Sequence, residues 1–527
     1  MNVNLSRIHH PAHAQIAGAL AWLRAHAQPH ADLCADTRAL KPGDVFMAYA
    51  VEGADNRPFI ANAMECGAAA VLYQPEGFFS ADKVDATRAL AVPALDVLAG
   101  EIASGWYGDP SDDMLVIGIT GTNGKTSCSQ WIAAALGASG TRCAMIGTLG
   151  SGLPGQLVQT GFTTPDAPQL QRSLAQLKKA GAQAVAMEVS SHALHQDRAN
   201  GTAFDIAVFT NLTQDHLDYH HTLAAYEAAK ARLFAWPGLR CAVINADDAA
   251  GRRLLAKTRG HMRTIAYGLG SEAQTLAANA DDWLSAANVR VTAMGTAFHL
   301  QTSAWGEADV QVQTLGLFNV SNLLGVLGAL LAAGMPFTRA LAELAKLEAV
   351  NGRMQRLGGR LDHKEPLVVI DYAHTPDALE KTLDALRPIA TARSGALVCV
   401  FGCGGDRDAT KRPLMGAIAE RCADKVVVTS DNPRSEAPGT IIDQIVGGMR
   451  EANRVCRIEN RARAILQAVR GAAREDVVLL AGKGHEMTQE IMGKKREFSD
   501  QEHARLALAA RVAQDVARPL PLRGEGA

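Results

Sequence analysis

The cysteines of this chain lack the spacing of a disulfide framework. Nine of them are scattered singly, Cys34, Cys66, Cys128, Cys143, Cys241, Cys403, Cys422 and Cys456 among them, with no CxxC pair. That excludes a stapled secreted scaffold and points to a reducing compartment. No apolar run approaches the about 18 to 20 residues needed to span a bilayer. The opening MNVNLSRIHHPAHAQ has no basic-then-apolar signal architecture, so a cytoplasmic location without membrane insertion is expected. Excess charge of one sign is also missing. A net charge of -2 with 20% charged residues excludes nucleic acid as the main partner, although local basic residues can still bind a phosphate-rich small molecule. Neither an internal repeat nor a low-complexity tract occurs.

What remains is an ordinary globular composition, 48% hydrophobic, in 527 residues. That length exceeds what one core organises, so three domains are expected, over 1–105, 106–350 and 351–527. Short apolar stretches alternate with turns and helical patterns throughout, which predicts an α/β fold. In the first block Pro42-Gly43-Asp44 precedes an apolar stretch from Val45 to Tyr49, and a helical pattern runs from Pro58 to Cys66. The stretch from Ser104 to Asp113, rich in Gly, Asp, Pro and Ser, reads as a linker. In the middle block, Ala184 to Met187 and Ile206 to Phe209 read as strands ending in polar residues. The third block has strands at Leu367 to Ile370, Ala396 to Phe401, Lys425 to Thr429 and Val477 to Leu480. Helical patterns from Ala378 to Leu386 and from Ile441 to Arg450 separate them, predicting a second doubly wound sheet. The tail after Arg518 is expected to be mobile.

The most specific signal is Gly118-Ile-Thr-Gly121-Thr122-Asn123-Gly124-Lys125-Thr126-Ser127, between an apolar run from Met114 to Ile119 and a helical pattern from Ser127 to Leu136. Glycines let backbone amides turn toward a phosphate, and the helix N-terminus adds its positive end. Lys125 can neutralise β/γ charge and Thr126 can hold Mg²⁺. The strict GxxxxGK[ST] pattern fails by one position, because Ile119 stands where its first glycine would be.

The variant GTNGKT resembles the Mur ligase superfamily, which includes the folylpolyglutamate synthases. Those enzymes form an amide by first phosphorylating a carboxylate with ATP. The resemblance implies ATP as co-substrate and Mg²⁺ as cofactor. It also implies a small N-terminal α/β domain for a UDP-linked substrate, a central P-loop ATPase-like parallel-sheet domain and a C-terminal Rossmann-like domain that takes an amino acid. Gly121, Thr122, Asn123, Gly124, Lys125, Thr126 and Ser127 would hold ATP, with Asn319 of Gly316-Leu-Phe-Asn319, Arg353 of Asn351-Gly-Arg353, and Asp371 and His374 of Asp371-Tyr-Ala-His374. Each of these alone could be a turn or a helix cap.

Glu188-Val-Ser190-Ser191-His192 follows one predicted strand, and Asn211 through Asp215-His216-Leu-Asp218-Tyr-His220 follows another. Strand ends of a parallel sheet present ligands, and these carry oxygen and imidazole donors. Taken alone, the second cluster is as readily a capped helix start as a metal site. The resemblance makes Thr126, Glu188 and His216 expected Mg²⁺ ligands. By composition Lys230, in Tyr226-Glu-Ala-Ala-Lys230, is a solvated surface lysine. In many Mur ligases the lysine of this motif is carbamylated, so the resemblance assigns Lys230 to the second Mg²⁺ and, with Lys125, Glu188 and His216, to the catalytic group. Thr163, Thr164, Ser190, Gln196 and Arg198 resemble the contacts to a muramoyl dipeptide. Thr37, in Asp36-Thr37-Arg38, resembles the uridine-nucleotide region, where many relatives carry Ser.

Asp431-Asn432-Pro433-Arg434 follows the strand from Lys425 to Thr429 and would fix the amino acid. Meso-diaminopimelate exceeds lysine by one carboxylate, which a planar guanidinium can grip bidentately. An arginine left unpaired by the wrong substrate can discriminate by something on the order of 10⁴-fold. The motif resembles that of the diaminopimelate-adding branch, and Arg407, Gly482 and Glu486 match further amino-acid contacts of it. Standing alone, the same four residues would be a capping turn with a solvated arginine. The implied substrates are therefore ATP, UDP-N-acetylmuramoyl-L-alanyl-D-glutamate and meso-diaminopimelate, and a monomer is expected. The rivals are a lysine-adding ligase of the same family, a folylpolyglutamate synthase and a P-loop NTPase acting as a conformational switch.

Overall fold

A computed structural model describes residues 13–78, 85, 87–270, 280–292, 295–360, 363 and 365–516. The tail after Arg518 lies outside them. Three major sheets follow one another along the chain. The first is a parallel sheet in the order Leu33–Cys34, Val45–Ala48, Ala70–Tyr73, Ala89–Ala91. The helix Leu95–Trp106 packs on it through Leu95, Leu98, Ala99, Ile102 and Ala103, an i, i+3, i+4, i+7 stripe. That helix corrects the linker expectation. Ser104 is buried inside its last turn with its hydroxyl on Asp109 Oδ1 at 2.9 Å, so the chain leaves the helix only at Tyr107.

The second sheet carries Leu115–Thr120 between Ala184–Glu188 and Ile206–Phe209, all parallel. Its strands are apolar throughout because both faces are covered. The expectation of a parallel sheet holds for this middle but fails at its margins. Asp282–Thr292, Gly295–Thr302 and Glu307–Val312 form an antiparallel meander on one side, and Gly150–Gly152 turns back on Cys143–Gly147 at the other. Short reversals of this kind leave no room for a crossover helix, so the ladders have to be antiparallel.

The third sheet runs Gln355–Gly358, Leu367–Asp371, Val477–Ala481, Leu397–Phe401, Lys425–Thr429, Cys456–Ile458, parallel except at its first strand. Helices cover both faces. The helix expected from Ile441 to Arg450 occupies Pro438–Val446, ended by the Gly447-Gly448 pair. Register decides where the chemistry can gather. Glu188 pairs with Ile119 and Phe209 with Thr120, so three strand ends open at one level beside the loop that starts at Gly121. No helix among the described residues is long and apolar enough to cross a membrane.

Candidate active site

The phosphate-type loop joins Leu115–Thr120 to the helix Lys125–Ala138. Gly124 caps that helix at φ 90°, and a Cβ there would collide with the Asn322 carboxamide, so both conformation and space require glycine. Asn123 N donates to Asn211 Oδ1 at 3.0 Å and Thr122 N to Asn211 O at 2.8 Å, which pins the loop to the next strand end. Lys125 Nζ donates to the carbonyls of Gly121 and Thr122 at 2.8 and 2.9 Å. Burial pushes its pKa down, against the pull of Glu188 and Asp215.

Glu188, 1% exposed, accepts from Thr126 Oγ1 at 3.0 Å and from Thr148 Oγ1 at 3.0 Å on Oε2, and from Thr148 N at 2.9 Å on Oε1. The Thr126 hydroxyl and the Glu188 carboxylate, at the end of the strand Ala184–Glu188, are a hard-oxygen pair that suits Mg²⁺. Among the described residues no three His, Cys, Asp or Glu side chains could hold a metal by themselves.

His216 sits at φ 54° with Nε2 3.5 Å from Asp215 Oδ2, and burial pushes its pKa down to about 4. His192 packs edge-on against it at 4.8 Å between ring centroids and is pushed down to about 4 in the same way. Both rings are therefore neutral at pH 7, the form that can ligate a cation. Lys230 is 2% exposed, contrary to its reading by composition. Its Nζ donates to Gly121 O at 2.9 Å and lies 4.4 Å from the Tyr226 ring centroid. Burial, then the Lys125 ammonium, push its pKa well below that of an ordinary lysine.

A cavity of about 240 Å³ lies between the second and third sheets. It brings together Thr122 to Ser127, Thr163, Glu188, His216, Asn319, Arg353, Asp371 and His374 from the expected set. Arg353 Nη2 donates to Thr126 Oγ1 at 3.3 Å, and its guanidinium lies 4.3 Å from the Tyr372 ring centroid. Asp371 faces the cavity, but both its oxygens accept from the chain, from Met354 N at 2.7 Å and Ala373 N at 2.9 Å. His374 Nδ1 lies 2.8 Å from Tyr372 O. Asn319 Nδ2 donates to Leu315 O at 2.8 Å.

Thr164, Ser190, Gln196 and Arg198 form a second group beside this cavity. Thr164 Oγ1 donates to Glu188 O at 2.9 Å and accepts from Ser190 N at 3.0 Å. Arg198 Nε donates to Gln196 Oε1 at 2.9 Å, and Gln196 Nε2 donates to Glu52 O at 3.1 Å, a bond that reaches the first sheet's unit. Thr37, half-buried on the turn after Leu33–Cys34, does not line the cavity.

The Asp431–Arg434 group stands apart, at the strand ends of the third sheet. Asn432 Nδ2 donates to Glu486 Oε2 at 2.7 Å. Gly482 has φ 113°, and a Cβ there would strike the Asp431 carboxylate. Arg434 is held at φ 52°, with its N donating to Glu490 O at 3.1 Å, Met492 N donating to its carbonyl at 2.6 Å and Nη1 donating to Gly405 O at 2.6 Å. Pro433 is buried beneath it, and Arg407 is exposed on the neighbouring loop.

Thr148, Tyr372, Lys381 and Thr382, which also line the cavity, are absent from the expectations. Thr148 directly follows the strand Cys143–Gly147, so the strand-end rule applied to every strand would have found it.

Two family models match this chain, the Mur ligase middle domain over residues 119–330 and the Mur ligase glutamate ligase domain over 352–484. A Ralstonia nicotianae protein named UDP-N-acetylmuramoyl-L-alanyl-D-glutamate--2,6-diaminopimelate ligase is 60% identical over 506 residues, covering 95% of this chain and 97% of the relative. A relative of the same name from a Janthinobacterium species is 50% identical over 508 residues, covering 95% and 98%. A solved structure described as that same ligase superposes with a TM-score of 0.64 at 36% identity, covering 97% of this chain and 99% of the other.

Proposed function

Since this chain belongs to the Mur ligase family, we propose that it is the ATP-dependent, ADP-forming ligase that adds meso-2,6-diaminopimelate to UDP-N-acetylmuramoyl-L-alanyl-D-glutamate in peptidoglycan precursor synthesis. The observation that carries the ATP-dependent half is the Thr126–Glu188 contact, which faces Arg353 and His374 across one cavity. Arg434 carries the choice of amino acid. The division at residues 105 and 350 is supported by where the sheets stop and start, at Ala91, Leu115, Val312 and Gln355.

The nucleotide's triphosphate lies on Gly121 to Ser127, within reach of Arg353. The γ-carboxylate of the D-glutamyl residue attacks the γ-phosphorus, and the bond to the β-γ bridging oxygen breaks with its electron pair leaving on ADP. Positioning and charge neutralisation dominate such a step, because phosphoryl transfer asks little covalent chemistry of the protein. Lys125 supplies positive charge on this side. Thr126, Glu188, His216 and Lys230, the last as a carbamate, are the residues that would hold Mg²⁺. When bound, Mg²⁺ neutralises phosphate charge. The low pKa of Lys230 supports carbamate formation, since a neutral amine is the form that adds CO₂.

The amine of diaminopimelate then attacks the acyl carbon, and phosphate departs as the amine loses its proton. Arg198, Gln196, Ser190, Thr163, Thr164 and Thr37 hold the UDP-dipeptide. Arg434, Arg407, Asp431, Asn432, Pro433, Gly482 and Glu486 form the amino-acid site. Asn319, Asp371 and His374 shape the nucleotide pocket.

Phosphate release from ATP, measured with the UDP-dipeptide and either meso-diaminopimelate or L-lysine, tests the reading. Release with the former alone is expected. Equal rates with both would remove the specificity, and release without any amino acid would favour a switch-type NTPase.

A further inference from the structure

The turn that carries Glu486 also carries a charge for which the reaction above has no use. Lys483 follows the strand Val477–Ala481, and its side chain is wholly buried. A buried ammonium is expensive to keep unless its partners are worth holding. Its Nζ donates to Glu486 Oε2 at 2.8 Å and to Asn432 Oδ1 at 3.0 Å. Asn432 closes the triangle by donating from Nδ2 to the same Glu486 oxygen at 2.7 Å, while its Oδ1 also accepts from Glu490 N at 3.0 Å.

Each side chain of the triangle is thereby fixed. Glu486 Oε2 holds two donors, and among the described residues no hydrogen bond reaches Oε1, although the side chain is 28% exposed. The Asn432 oxygen is used up by Lys483 and Glu490. What the cluster leaves available is one aimed oxygen, Glu486 Oε1.

We propose that Lys483 is a positioning residue of the amino-acid site: it holds Glu486 turned so that Oε1 receives an ammonium group of the diamino acid, and holds Asn432 as the strut between them. The inference rests on the reading that Glu486 meets the amino acid. Lys483, wholly buried, does not touch the substrate.

The surroundings predict what its loss does. Arg461, wholly buried and paired with Asp500 at 2.6 Å, is a further cation near Glu486. Asp431 and Tyr372 bring negative or neutral oxygen to the same region. His485 is kept neutral, burial pushing its pKa down to about 3. Without the Lys483 ammonium, Glu486 Oε2 and Asn432 Oδ1 each lose the donor that fixes them, so the aim of Oε1 is lost and binding of the amino acid should weaken.

The test compares Lys483→Met, Lys483→Gln, Lys483→Arg, Glu486→Gln and the double variant K483M/E486Q, with initial rates taken against each substrate. Glu486→Gln is expected to raise the KM for diaminopimelate. Lys483→Met should raise it about 10- to 100-fold, as loss of a supporting group does at other preorganised sites, with the KM for ATP within about twofold of the parent. The increase should shrink in Lys483→Arg and add little in the double variant. Lys483→Gln, which keeps an N–H donor on a shorter, uncharged side chain, carries the measurement if the methionine variant does not fold. If Glu486→Gln leaves the diaminopimelate KM unchanged, the reading of the amino-acid site fails. If Glu486→Gln raises it and the Lys483 variants do not, the inference alone fails. A parallel rise in every KM, with no rescue by Lys483→Arg, would reduce Lys483 to a structural tie and overturn it as well.

Discussion

Lys125 and Lys230 donate to one acceptor, the carbonyl oxygen of Gly121, at 2.8 and 2.9 Å. Two buried ammonium groups on a single neutral oxygen repel each other, and Lys230 yields, its pKa pushed well below that of an ordinary lysine by burial and then by Lys125. Both amines thus hold their protons less tightly than an ordinary lysine, Lys230 the less tightly of the two.

Lys230 should therefore cost the ligand-free protein stability at neutral pH. Its folded pKa lies below its unfolded value, so the unfolded chain binds the extra proton, and the cost shrinks as pH rises toward 10.5. Lys230→Met is expected to raise the melting temperature at pH 7 by on the order of 2 to 4 °C. The advantage should fade by pH 10.5, while turnover falls about 100-fold or more with the metal-site ligand. Thermal melts across pH check the sign, and a methionine variant less stable than the parent at pH 7 would contradict it.

Arg353 ties the chain entering the third sheet to the phosphate loop through Thr126 Oγ1 and is held flat over Tyr372. Its buried Nε finds no partner among the described residues, so the group is preorganised with capacity to spare. Arg353→Ala is expected to raise the KM for ATP about 10- to 100-fold, the worth of a charge-assisted hydrogen bond. The KM for diaminopimelate should move by less than about threefold. Initial-rate measurements against each substrate separate the two effects, and a larger change for the amino acid would be the wrong outcome.

Arg434 is aimed by the hairpin Thr488–Ile491 and Lys494–Glu497, whose Glu490 and Met492 bond its backbone while Gly405 takes its Nη1. Arg434→Ala is expected to lower kcat/KM for diaminopimelate by on the order of 10² to 10⁴. Lysine should lose little, so the preference between the two collapses. Arg434→Lys keeps a charge but not the planar fork, and should recover only part of the loss. Competition between the two amino acids in one reaction reads the ratio directly.

The parts legible in the sequence are those written locally. The phosphate loop needs only its own residues and the helix after it, and the strand ends at Glu188 and Phe209 announce themselves by apolar runs. Lys230 was not legible by composition, because its burial depends on Gly121, which lies 109 positions away. Thr148 carries no motif and is drawn in by Glu188, 40 positions on. Lys483 and Arg461 resemble surface residues until chain segments 51 and 39 positions away close over them. The antiparallel margins of the second sheet were missed because Asp282–Thr292, Gly295–Thr302 and Glu307–Val312 mix polar with apolar residues and lack the continuous apolar runs that mark Ala184–Glu188 and Ile206–Phe209.

Arg412 and Glu436 show how far such hidden charge pairs support the amino-acid site. The guanidinium of Arg412, 1% exposed, meets both Glu436 oxygens at 2.8 Å and donates to Gly404 O at 3.1 Å, while Glu436 Oε1 accepts from Asp406 N at 2.7 Å. One pair thus joins the turn after Arg434 to the loop that carries Arg407. Arg412 and the Asp406 amide hold the Glu436 carboxyl at about 2, against an ordinary 4.5. Because the folded value is the lower one, the stabilisation is complete above pH 4.5 and is lost as pH falls toward 2. Glu436→Gln should cost about 1 to 2 kcal/mol at pH 7, less than a fully buried pair because the carboxylate is partly open to solvent and screened. The gap in melting temperature between parent and variant should close steadily from pH 4.5 toward pH 2, where the folded parent also comes to carry a neutral group at this position. A gap that stays constant down to pH 2 would mean that shape, and not charge, is what Glu436 contributes.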